Sequence, residues 1–385
     1  MQHSGALRNI LERPNEVGVG EAYLRNDFDI DGDVETVVSY AAELKDSVYS
    51  LTQKLAIANM VRRLPQSSTF YPSTRKKALT GERHSIARDR QAVTHHYDVP
   101  TPFYQLFLDR QMVYSCGYFV SADDDLDTAQ RQKLDYLCRK LRLQAGERVL
   151  DIGCGWGSLL LYAAAHYGVN ATGITLSQPQ ADWGNARIAR SGWRHRARIL
   201  VQDYREMKLA SDYDAVVSVG MFEHVGEENL PCYFRTAFDC LRPGGRFLNH
   251  GISQGRPQEQ RQGPSFSDTY VFPDGELVPI STALATAERA GFEIRDVESL
   301  REHYALTLRH WVRNLEANCC EAVRHTDEET YRVWRLFMAG GAHAFTAGTM
   351  NVHQSLLVRP DETGRSPLPL TRSDWYLPNE CGVSH

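Results

Sequence analysis

The sequence predicts an α/β fold built on a mostly parallel central sheet, with a smaller α/β domain ahead of it, and three observations carry this. Short apolar runs around Val149-Leu150, Ala197 to Val201 and Tyr213 to Gly220 alternate with longer helical stretches, as in parallel sheets covered on both faces. The first run stops at Asp151 and opens into three alternating glycines, Gly153, Gly155 and Gly157, before a helix from Ser158 to Tyr167. Ionisable residues then recur at strand ends, Glu223 and His224 after the fourth strand and His250 on the fifth, where parallel sheets line a ligand crevice.

The chain has 385 residues, 42 % hydrophobic and 24 % charged, enough to build an ordinary globular core. A net charge of −5 argues against a nucleic-acid binder. No run of 18 apolar residues exists, and Met1 to Pro14 lacks the apolar core of a signal peptide. The eight cysteines form no C-x-x-C pair and no zinc spacing, so they read as reduced thiols in a cytoplasmic protein that holds no metal.

In chain order, Tyr23, Phe28 and Ile30 alternate with polar residues and predict strand and turn over 20–33. The alternating acids there resemble a calcium loop, but the position for its bidentate glutamate, six residues past Gly32, holds Val38. Val34 to Arg63 reads as helical. The stretch 62–90 is rich in Arg and Lys, including Arg75, Lys76 and Lys77, and reads as a basic linker able to rest on anionic headgroups or simply to stay solvated. Residues 1–85 are therefore expected to be a lipid-associating module with its linker, and 86–385 the catalytic domain. Asp125 to Leu143 predicts an amphipathic helix before the strand at Val149, and Ala171 to Thr175 a second strand.

The glycine loop reads D-x-G-x-G-x-G, lacking the spacing of a dinucleotide site and the Lys-Ser/Thr of a phosphate loop. An acid ahead of such a loop suits a ligand carrying an ammonium or sulfonium. The loop resembles the first motif of the S-adenosylmethionine-dependent methyltransferases. Asp203 follows the third strand, placed to accept from an adenine amino group with Tyr204 beside the ring.

A more specific resemblance rests on His95-His-Tyr-Asp98, Phe103-Tyr-Gln-Leu-Phe-Leu-Asp109, Tyr114-Ser-Cys-Gly-Tyr-Phe119, Thr175-Leu-Ser177 with Gln180, and His303-Tyr-Ala-Leu-Thr-Leu-Arg-His-Trp311. Together these resemble the cyclopropane fatty acid synthase family, which includes the mycolic acid cyclopropane synthases, over about residues 17–377. The resemblance implies a Rossmann-like class I methyltransferase domain. It implies S-adenosylmethionine on Tyr114, Ser115, Asp151, Gly153, Gly155, Thr175, Gln180, Asp203 and Tyr204. It further implies a bicarbonate base held by Glu223, His250, Tyr304, the Cys116 amide and the backbone around Ile252, with Tyr97, Phe103, Tyr118, Phe119, Phe266 and Tyr270 around cation and acyl chain.

The implied reaction adds a methylene to the cis double bond of an unsaturated phospholipid acyl chain. The expected protein is a homodimer, cytoplasmic and peripheral at the inner membrane face. A methyl-branched product, an N-methylated amine and a catalytically dead lipid-binding scaffold are the alternatives. Together Asp151, the glycines, Glu223, His250 and Tyr304 disfavour the scaffold.

Overall fold

The computed structural model describes residues 1–13, 15–45, 50–65, 79–97, 99–208, 212–256 and 264–376. It contains two compact units. One gathers Met1–Leu108, Gly255–Gly275 and Tyr304–Met350; the other gathers Asp109–Gln254, Glu276–His303 and Asn351–His385. Packing thus divides the chain differently from the cut expected after residue 85.

The second unit is built on seven strands: β1 Arg148–Ile152, β2 Asn170–Thr175, β3 Ala197–Val201, β4 Tyr213–Val219, β5 Leu241–Gln254, β6 Glu293–Ser299 and β7 Met350–Val358. They lie in the order β3-β2-β1-β4-β5-β7-β6. Neighbours from β3 to β5 pair in parallel, and β6 pairs antiparallel with β7. Successive residues face opposite ways along a strand, so Val149, Val217 and Leu248 join one core while Leu150, Val216 and Phe247 join the other. Both faces are dry, which is why the strands read as continuous apolar runs. Strand order reverses between β1 and β4, so a crevice opens beyond the carboxyl ends of those two strands. Asp151 and the segment after Val219 lie there.

The helix Leu126–Lys140 belongs to this unit. Asp125 caps it, accepting from Thr128 N at 2.7 Å. Its buried face carries Leu126, Leu134 and Leu137, but also Gln130 and Lys133.

The first unit is helical, which corrects the expectation of a small α/β domain: among the described residues no strand precedes β1. The strand predicted within 20–33 is instead the helix Glu16–Leu24 followed by turns. Asn15 caps it by accepting from Gly18 N at 2.8 Å. Tyr23 is buried under Arg332, whose Nη1 donates to the Tyr23 carbonyl at 3.2 Å, and its hydroxyl accepts from Arg335 at 2.9 Å. Tertiary packing outweighs the short alternating pattern.

The single helical run expected over Val34 to Arg63 is two helices, Val34–Lys45 and Leu51–Arg63, the second started by a Ser50/Gln53 capping box. Part of the expected basic linker is also structured: Ile86–Tyr97 is a helix, and Arg88 donates to both carboxylate oxygens of Asp274. Arg75, Lys76 and Lys77 lie outside the described residues. Among the described residues no helix is long and apolar enough to cross a membrane.

Candidate active site

The site is built at the ends of β1, β2 and β4 and on the stretch of β5 level with the end of β4. Asp151 ends its apolar run 3 % exposed, and its Oδ1 has no partner among the described residues. Burial pushes its carboxyl up to about 7, with the Lys133 ammonium pulling it back. Across the parallel pair, Thr175 at the end of β2 donates through Oγ1 to Gln180 Oε1 at 3.0 Å, leaving the buried Gln180 Nε2 without a partner. One acceptor and one donor are thus buried and unanswered beside the glycine loop. That pair fits a ligand bearing both an ammonium and acceptor groups, such as S-adenosylmethionine.

The glycines of the loop do different things. All three have positive φ, +83° at Gly153, +53° at Gly155 and +79° at Gly157. A Cβ on Gly157 would stand 2.6 Å from Ile199 Cδ1, and one on Gly153 2.9 Å from Met221 Cβ, so those two permit close packing within the protein. A Cβ on Gly155 would meet no protein atom within 4 Å. Gly155 therefore faces open space, with room for a ligand.

Tyr114, Ser115 and Cys116 form a strip held from the helix Leu126–Lys140. Gln130 Nε2 donates to the Ser115 carbonyl at 2.8 Å and Lys133 Nζ to Ser115 Oγ at 2.9 Å. Cys116 is fully buried, its thiol directed at the carbonyls of Gly117 and Leu300. Ser115 Cβ and Glu223 Oε1 each lie 3.9 Å from the point where a Cβ on Gly220 would stand, so the strip and the end of β4 meet there.

Glu223 is in a short 3-10 turn, Phe222–His224. Burial pushes its carboxyl up to about 7, against the main-chain N–H groups of Glu223 itself and of Ile252. Its Oε2 has no partner among the described residues. His250, paired in register with Val219, is 2 % exposed. Gln354 Nε2 lies 3.1 Å from the His250 Nδ1, and the buried His250 Nε2 has no partner among the described residues. Burial, helped by the charges of Lys133 and Lys140 and by His353, holds the ring far below the ordinary imidazole range, so His250 is neutral at neutral pH. Ile252 follows on the same face of β5. The structure thus brings together Glu223, His250, Ile252 and the Ser115-Cys116 strip.

Tyr304 belongs to the first unit, its ring 4.7 Å from that of Phe345 and edge-on to Trp311. Asp203 is almost fully buried, but its carboxylate is forked by Arg205, Nε to Oδ1 at 2.9 Å and Nη2 to Oδ2 at 2.7 Å, and also accepts Arg205 N. Three of about four lone-pair directions are filled, leaving little for an adenine amino group. Tyr204 beside it is buried against Tyr233.

Of the aromatics expected around the substrate, Phe103, Phe266 and Tyr270 are core residues of the first unit. Tyr118 stacks on His303 and lies tilted against Tyr136, ring centroids 4.4 Å apart, and Phe119 is buried. The side chain of Tyr97 lies outside the described residues.

Sequence reasoning missed Lys133. Burial pushes its ammonium down to about 8, while Cys116, Asp109 and Asp151 raise it. Asp109 is pushed up to about 6 by burial, against N–H donors from Val113 and Gln111. The available signal was positional: Gln130 and Lys133 occupy the same stripe as Leu126, Leu134 and Leu137.

A family model described as mycolic acid cyclopropane synthetase matches residues 84–355. A probable fatty acid methyltransferase of Pseudomonas putida is 41 % identical over 370 residues, covering 95 % of this chain and 88 % of the relative. A probable fatty acid methyltransferase of Mycobacterium tuberculosis is 35 % identical over 382 residues, covering 95 % and 87 %. The solved mycolic acid cyclopropane synthase CmaA1 complexed with SAH and CTAB superposes with a TM-score of 0.66 at 35 % identity, covering 70 % of this chain and 98 % of that one. With the sheet order and the unanswered groups around Asp151, these matches place the chain in the mycolic acid cyclopropane synthetase family, among the S-adenosylmethionine-dependent methyltransferases.

Proposed function

We propose that this methyltransferase adds a methylene to the cis double bond of unsaturated phospholipid acyl chains, closing a cyclopropane ring with bicarbonate as the base. The observation that carries the reading is a second pair of buried groups unanswered among the described residues, Glu223 Oε2 just past the end of β4 and His250 Nε2 on β5 level with that end. With Gln354 Nε2 donating to Nδ1, the His250 proton lies on Nε2, so that pair offers one donor and one acceptor. A small anion that keeps a hydroxyl answers both: its oxygen accepts from His250 and its hydroxyl donates to Glu223.

When bound, S-adenosylmethionine supplies an electrophilic methyl group strong enough to react with an alkene. Bicarbonate in the second subsite would supply the base for the proton that leaves as the ring closes. The chain's own part is positional. Gly155 leaves room for the cofactor, Asp151 and Gln180 answer its polar groups, and the Ile252 N–H holds the Glu223 carboxylate at the anion. Tyr304 enters this assignment only through the family resemblance.

A second reading keeps the first step and ends in a methyl branch, and the names of the two relatives, probable fatty acid methyltransferases, favour it. Mass spectrometry of lipids from cells expressing the protein and fed trideuteromethyl methionine separates the two. A ring retains two of the three deuteriums and leaves no double bond open to derivatisation. A product that retains the alkene, or an unmodified lipid pool with a methylated amine, rejects the cyclopropane reading.

Contact with an anionic lipid surface is supported by exposed apolar side chains on the two amphipathic helices of the first unit, Val37 and Tyr40 on one, Leu55 and Met60 on the other beside Arg62 and Arg63. Flotation with anionic vesicles should weaken as salt rises, since the Debye length falls from about 10 Å at 0.1 M to about 3 Å at 1 M. Equal flotation after Tyr40→Ser with Met60→Ser would exclude these helices.

A further inference from the structure

Helix Leu126–Lys140 turns Gln130 and Lys133 inward onto Ser115, Gln130 on its carbonyl and Lys133 on its hydroxyl, while the buried Lys140 goes to Glu298. Neither is exposed, Gln130 at 0 % and Lys133 at 1 %. An ammonium buried this deeply needs counter-charge. The groups that face it are Asp109 ahead of the strip, Asp151 at the end of β1, the Cys116 thiol and, more weakly, neutral His250 on β5. Asp109 is already committed to the main-chain N–H groups of Gln111 and Val113, at 2.9 and 2.8 Å. Asp151 Oδ1 has no partner among the described residues.

We propose that Lys133 is a positioning residue for the cofactor: its ammonium pins the Ser115 hydroxyl and is the buried counter-charge that keeps the Asp151 carboxylate ionised for the cofactor's ammonium. The inference rests on assigning Asp151 to the cofactor. Removing the cation leaves Asp151 without that counter-charge in a dry site, where the neutral acid is favoured and attraction for an ammonium is lost. Raising the pH restores the carboxylate and with it the attraction. Loss of packing alone would weaken binding equally at every pH.

The test is calorimetric titration of S-adenosylhomocysteine, whose ammonium persists across the range, into wild type, Lys133→Met and Asp151→Asn from pH 6 to pH 8.5. Wild-type affinity should rise with pH through about 7, where Asp151 titrates. Lys133→Met should bind about fivefold or more weakly at pH 7, as expected for a carboxyl moved up by about one unit, and should recover most of that loss at the alkaline end. A uniform loss at every pH, or none, overturns the proposal. If wild type shows no pH dependence and Asp151→Asn binds equally well, the cofactor assignment of Asp151 itself has failed. Should Lys133→Met not fold, Lys133→Gln is titrated in the same way, and a uniform loss at every pH, or none, overturns the proposal.

Discussion

Gln354 Nε2 lies 3.1 Å from His250 Nδ1, which fixes where the proton of a neutral, buried imidazole resides. The amide donates, so Nδ1 accepts and Nε2 keeps its hydrogen as a donor into the crevice. In the ¹⁵N spectrum of the histidines, the His250 signals should show the Nε2–H tautomer. Gln354→Leu should erase that preference and lower turnover about 2- to 10-fold, the worth of one orienting hydrogen bond. An Nδ1–H tautomer in wild type would refute the assignment.

The three loop glycines should respond differently to a methyl group. Gly155→Ala places its Cβ in space free of protein atoms, at a φ of +53°, so it should cost only about 1 kcal/mol of stability yet weaken S-adenosylhomocysteine binding at least tenfold. Gly157→Ala drives a Cβ to 2.6 Å from Ile199 Cδ1 and should lower the melting temperature more than Gly155→Ala does. Thermal melts with and without ligand separate the two. Normal ligand binding by Gly155→Ala would mean that the cofactor does not approach from that side.

Burying Glu223 destabilises the protein without ligands, with a defined pH dependence. Its carboxyl rises from 4.5 to about 7 on folding, so between those values the folded state binds a proton that the unfolded state has lost, and stability falls as pH rises through that window. Glu223→Gln should therefore be more stable than wild type at pH 8, by up to about 3 kcal/mol, with the gain vanishing below the unfolded value. Denaturant melts at pH 4 and pH 8 check this. A variant less stable than wild type at pH 8 would show that the carboxylate supports the fold.

What could be read from the sequence follows from how local each signal is. β3 was legible to the residue, and Asp151 with its glycines was legible because strand end and turn are adjacent in sequence. Glu223 follows the end of β4 as strand-end logic predicts, whereas β5 runs past His250 to Gln254, and His250 comes level with the crevice by pairing with Val219. Tyr23, Phe28 and Ile30 misled because three alternating residues are a weak signal, and the burial of Tyr23 depends on Arg332 and Arg335, some 300 positions away. Lys133 went unread because a single cation within an amphipathic helix usually lies on the wet face. Only the strip at Ser115, brought against it by the fold, turns it inward. The Arg205 fork on Asp203 has no sequence signal because it arises from the turn, not from spacing.

Turnover measured against cofactor affinity in Glu223→Gln tests most directly the central claim, that Glu223 and His250 form an anion subsite distinct from the cofactor loop. The dissociation constant for S-adenosylhomocysteine should stay within a factor of about 2 of wild type. Turnover should fall roughly 10²-fold or more, the scale of a positioned acid/base group, with added bicarbonate restoring the variant only in part. Full turnover in the variant, or a defect lying wholly in cofactor affinity, would contradict that claim.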